Sequence, residues 1–112
     1  MTNGAEGSAT AGVFGSLDAK LTVFALANGV DLAKGEGYRR LEWFTEGLER
    51  GILLEPCADN ACRLVVMAWK TGKAEQRNDH LLADEVPMDD VPGMLDDAIE
   101  AANALDWPTA PD

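Results

Sequence analysis

One histidine, one tyrosine and two cysteines are all that 112 residues provide of those types, and no lysine or arginine follows Arg77. Each scarcity excludes something. A zinc site needs four ligands, and beyond Cys57, Cys62 and His80 the chain has no soft donor to complete a Cys/His set. Cys57 and Cys62 are separated by four residues, which is not the spacing of a redox CxxC pair, and a cytosolic setting favours two reduced thiols. His80 beside Asp79 has the residue types of an oriented general base, but no serine or cysteine nucleophile is recognisably paired with it. Gly35-Glu36-Gly37 lacks both the preceding strand and the following Lys-Ser/Thr of a phosphate loop. The apolar stretch Leu21–Ala27 is too short to span a bilayer. The first basic residue is Lys20, so no charged leader region is visible and a cytoplasmic protein is expected.

What is present is acid. The net charge is −11 and the pI about 4.3. Both argue against direct nucleic-acid binding and against anionic membranes, which call for Lys/Arg clusters. The distribution is more telling than the sum. Residues 1–78 hold ten acidic and nine basic side chains, close to balance. Residues 79–112 hold the other ten acidic side chains and no lysine or arginine.

An apolar share of 46% supports a core in one domain. The expected fold is α+β: two N-terminal helices, an antiparallel β-hairpin or three-stranded sheet, and an acidic amphipathic C-terminal helix. Residues 1–15 are small, glycine-rich and aperiodic, and a disordered segment is expected there. Residues 16–107 make the domain and 108–112 a loose tail. The first helix starts at Ser16, is apolar nearly all round through Leu17–Ala27, and stops at Asn28-Gly29. Asp31–Gly37 reads as a connector. Tyr38, Leu41, Phe44 and Leu48 recur at helical spacing and predict a second helix over about 38–50, with Arg39 and Arg40 on its wet face. The central hairpin is Gly51–Thr71, turning at Asp59-Asn60, where both residues favour turn geometry. Leu64, Val66 and Ala68 face one way and Val65, Met67 and Trp69 the other, so cover is expected on both sides. A third strand is suggested over His80–Val86. Val91, Met94, Leu95, Ala98, Ile99, Ala102 and Leu105 then mark the apolar face of the last helix.

The candidate functional residues follow from that helix. Asp89, Asp90, Asp96, Asp97 and Glu100 concentrate charge at its start and along its polar face. Asp96–Glu100 and Asp97–Glu100 are like-charge neighbours, each costing on the order of 0.2–0.5 kcal/mol. Such a face is either a solvated, solubilising surface or a docking surface; stability does not account for it, whereas a basic partner would. Trp43 lies off the apolar stripe beside two arginines and is either an edge-packed side chain or an interface anchor.

The segment Glu49–Val66 and the last helix carry one resemblance. The order helix, Gly51-Ile52-Leu53-Leu54, an Asp59-x-x-Cys62-x-Leu64 strand, then a leucine-containing acidic helix is similar to bacterial type III secretion chaperones. Those are small, acidic and non-enzymatic, so the resemblance implies a chaperone-like role; it assigns no residue a part. The leading expectation is a non-enzymatic interaction module, an adaptor, chaperone-like protein or inhibitor that docks a basic protein surface through Asp89, Asp90, Asp96, Asp97, Glu100 and Trp43. It needs no cofactor or metal. A nucleic-acid mimic that blocks a DNA- or RNA-binding protein is an alternative. A small enzyme using His80 with Asp79 or Asp84 is another. The all-round apolar first helix, or the hairpin, would suit a homodimer.

Overall fold

The computed structural model describes the backbone of residues 3–58 and 60–106, and the side chains of residues 14–57 and 60–106. Within these residues the chain runs α1 (Asn3–Asn28), β1 (Asp31–Gly35), β2 (Tyr38–Thr45), β3 (Leu48–Ala58), β4 (Ala61–Trp69), β5 (Asn78–Pro87) and α2 (Val91–Asn103). Single 3-10 turns at Ala74–Gln76 and Met88–Asp90 precede β5 and α2. The strands form one antiparallel meander in the order β1-β2-β3-β4-β5. Among the described residues no helix is long and apolar enough to cross a membrane.

The α+β class is as expected, but its parts differ. One helix, not two, precedes the sheet, and the sheet has five strands rather than two or three. The segment predicted as a second helix is β2, a turn and the start of β3. Thr45 pairs with Leu48, and Glu46 and Gly47 close the turn between them. Both have positive φ, 55° and 81°, the two-residue hairpin geometry that glycine in second place favours. The supposed connector Asp31–Gly37 is β1 and another Glu-Gly turn. Of the turn expected at Asp59-Asn60, residue 59 lies outside the described residues; around it Ala58 pairs with Ala61, and Asn60 sits at φ 59°.

The helix α1 is interrupted at Gly15 (φ 36°, ψ −122°). The backbone of Asn3–Phe14 continues α1 on the N-terminal side of that break. The expected loose tail, residues 108–112, lies outside the described residues.

Both helices cover the same face of the sheet. Phe14, Leu17, Leu21 and Ala25 of α1 and Val91, Leu95, Ala98 and Ala102 of α2 bury against Leu41, Ile52, Leu54, Cys62, Leu64 and Val66. Burial of each large apolar side chain stabilises by roughly 1.5–3 kcal/mol before entropy is counted. Among the described residues no helix lies on the other face. There Leu53 opposes Val65, Gly51 opposes Met67, and Glu49 opposes Trp69. Met67 and Trp69 are nonetheless buried. They lie over Gly51, where a Cβ would come within 2.9 Å of Met67 Cε. The lack of a side chain at 51 lets them fold down onto the strand.

Two arginines pin the helices to the sheet. Arg39 on β2 and Arg50 on β3 both point into the helix layer and are 4% and 2% exposed. Arg39 holds α1 through Asp18. Arg50 donates from Nη1 to Ala102 O (2.8 Å) and Leu105 O (2.7 Å), which satisfies carbonyls at the end of α2. Its Nε donates to Thr45 O at 3.2 Å.

Candidate functional site

The apolar stripe of α2 fixes where its carboxylates go. Val91, Leu95, Ala98 and Ala102 are buried on the sheet, so Asp96, Asp97 and Glu100 are exposed on the opposite side. Asp89 and Asp90 are exposed in the 3-10 turn that leads into the helix. Met88 N donates to Asn60 O at 2.8 Å, which ties that turn to the tip of the β3–β4 hairpin. Negative charge at a helix N-terminus is favourable, so Asp89 and Asp90 are placed with the helix dipole, while Glu100 and Asp106 near the other end are placed against it.

The counter-charges lie elsewhere. Among the described residues the ion pairs are Arg39–Asp18, Arg40–Glu42, Arg50–Glu46, Arg63–Glu55, Arg63–Asp84 and Arg77–Asp79. All lie on or beside the strands, and none includes Asp89, Asp90, Asp96, Asp97 or Glu100. Lys20 lines one small cavity together with Asp89, of about 170 Å³, without forming an ion pair to it. The arginines serve the sheet and its attachment to the helices, and among the described residues none forms an ion pair with a carboxylate of α2.

Trp43 is not on a helix but on β2, where it faces α2 opposite Arg50. Its Nε1 donates to Asn103 Oδ1 at 2.9 Å. Asn103 lies one turn beyond Glu100, so a residue sixty positions away in sequence reaches the end of the acidic face. A cavity of about 340 Å³ opens beside it, lined by Val30, Trp43, Ile99 and Asn103 among others. Trp43 is half-buried and orients as part of the β2–α2 packing. Sequence reasoning missed Asn103 as its partner, and no local pattern signals a contact sixty residues apart.

His80 is exposed on the edge strand β5, in register with Val66. The carboxylates near it are engaged: Asp79 accepts from Arg77 Nε at 3.3 Å and Asp84 from Arg63 Nε at 3.4 Å. Cys62 is buried under the helices and Cys57 is half-buried, both with free thiols. Burial, reinforced by the neighbouring Cys57 and partly offset by a backbone hydrogen bond at Glu55, pushes the Cys62 thiol from 9.0 up to about 11, which makes it a poor nucleophile near neutrality. Among the described residues no three His, Cys, Asp or Glu side chains gather closely enough to hold a metal ion.

Compared with protein-family models, curated proteins and solved structures, the chain matches none. The resemblance to secretion chaperones gains no support there, and the functional reading rests on the chain's own residues.

Proposed function

We propose that this protein is a non-enzymatic interaction module that docks a basic surface of another protein through the outward face of α2. One observation carries the reading. Asp96, Asp97 and Glu100 stand exposed on a rigid helix with Asp89 and Asp90 at its head, and no cation of the described chain pairs with any of them. The helix is held at its far end by Arg50 and flanked by Trp43, so the carboxylates are presented from a fixed platform. Pre-ordered charge of one sign speeds encounter with a basic partner and makes the association sensitive to salt. Trp43 and the cavity at Asn103, lined by polar and apolar side chains together, lie at the end of this surface.

The test is a footprint. Isotope-labelled protein mixed with unlabelled lysate of its host should show backbone amide broadening concentrated at Asp89, Asp90, Asp96, Asp97 and Glu100, reversed by added salt. Broadening confined to the uncovered sheet face would refute the reading.

A further inference from the structure

The helix α1 carries two apolar stripes, and the fold uses one. Phe14, Leu17, Leu21 and Ala25 face the core. On the other side Thr22, Val23 and Leu26 lie three, four and seven residues after Ala19, the spacing of a helix–helix seam. Val23 is 66% exposed and Leu26 80%. Beside this stripe a groove of about 480 Å³ runs between the helices, lined by Ala19, Val23, Phe24, Ala27, Pro92 and Leu95, with Lys20 at its edge.

We infer that this face binds a second copy of the chain, α1 against α1 in antiparallel orientation about a two-fold axis near Val23. A two-fold interface must be self-complementary, with one surface supplying both knob and hole. Here Leu26 and Val23 are the knobs and the groove is the hole. With the axis near Val23, Ala19 of one copy meets Ala27 of the other, and two small residues let the helices approach closely. Charge selects the occupant. Each copy carries −11, so most of its surface repels a second copy. From Ala19 to Val30 there is no carboxylate, and the single charge is Lys20, whose stem can lie along apolar surface with its ammonium in water. Two copies therefore meet here without stacking acid on acid. The uncovered sheet face is less suited: Met67 and Trp69 are already buried on it, and Arg40–Glu42 and Arg63–Glu55 pairs mark its surface.

This interface borrows Pro92 and Leu95 from α2 but none of its carboxylates, and salt separates it from the docking face. Screening weakens docking to a basic partner but relieves repulsion between two acidic copies, so self-association tightens as salt rises; at about 0.15 M the screening length is only about 8 Å. Sedimentation equilibrium of the full chain over a wide concentration range, at low and high salt, tests the inference. The expected result is a species of twice the 12.0 kDa chain mass, more populated at high salt. The variant Val23→Glu/Leu26→Glu should sediment as a monomer with an unchanged circular dichroism spectrum, while Asp96→Asn/Asp97→Asn/Glu100→Gln should still dimerise. A wild type that stays monomeric throughout, or a dimer that survives Val23→Glu/Leu26→Glu, overturns it.

Discussion

Arg39 grips both oxygens of Asp18, Nε to Oδ1 at 2.7 Å and Nη2 to Oδ2 at 3.0 Å, and so joins α1 to β2 across twenty-one residues. Nη1 donates to Gly35 O and Tyr38 O, and the guanidinium lies 4.3 Å from the centroid of the Phe14 ring. Asp18→Ala leaves a buried arginine unpaired and should cost about 3 kcal/mol, near the lower end for breaking a buried pair because Asp18 keeps some solvent contact. Asp18→Leu/Arg39→Met should recover most of that loss. Urea unfolding of the three proteins measures both; a single variant within experimental error of wild type would show the pair to be ornamental.

Arg50 does at the end of α2 what a capping residue does in other helices. Arg50→Met removes the donor to Ala102 O, Leu105 O and Thr45 O together, at about 1–3 kcal/mol for stranding buried acceptors. The loss should be local. Hydrogen exchange of the last turn of α2 should quicken far more than that of β3, and Arg50→Lys should restore it only in part, because an ammonium lacks the planar fork.

Gly51→Ala tests the sealing of the uncovered sheet face. The added methyl would meet Met67 Cε at 2.9 Å, which can swing away, and Leu41 O at 3.2 Å, which cannot. Overpacking of this kind costs about 1–3 kcal/mol. With Met67 and Trp69 lifted, tryptophan emission should shift to the red; unchanged emission and stability would show slack at this position.

Cys62 sets a pH dependence. Its folded pKa is raised from 9.0 to about 11, mainly by burial. In that interval the folded state holds a proton that the unfolded state has released, so stability falls as pH rises. The contribution is fully present below about pH 9 and is lost on approaching pH 11. Cys62→Ala should flatten unfolding curves across that window. In the native protein a thiol reagent at neutral pH should modify Cys57 first and reach Cys62 only on unfolding.

The acidic face predicts a trade between function and stability. Asp96→Asn/Asp97→Asn/Glu100→Gln removes two like-charge neighbour pairs, so the variant should gain about 0.4–1 kcal/mol while losing its partner. A destabilised variant would mean that those carboxylates have favourable contacts within the fold.

The elements visible in the sequence were those whose core-facing positions carry no charge. Ser16–Asn28, the hairpin around residues 59–60 and α2 have unbroken stripes, and their positions were legible. The stretch 38–50 was not, because its inward positions include Arg39 and Arg50. With charge at two core positions the strand alternation vanishes, and Tyr38, Leu41, Phe44 and Leu48 mimic a helix. The repeated Glu-Gly pairs at 36–37 and 46–47 were the countersignal. The register slips between β4 and β5 around Leu64, with Glu85 at φ 53°, explain why the alternation of β5 looked imperfect. At the candidate site the five carboxylates were legible as a face. That Trp43 would stand at its end through Asn103 was not, since no local pattern encodes a contact sixty residues apart.

The most direct measurement is a comparative capture from nuclease-treated host lysate, with the wild type beside a variant carrying Asp89→Asn, Asp90→Asn, Asp96→Asn, Asp97→Asn and Glu100→Gln, washed at low and at high salt. The expected result is one basic protein retained by the wild type at low salt, released at high salt and absent from the variant. The same proteins on both baits would contradict the docking face and leave α2 a solvated surface.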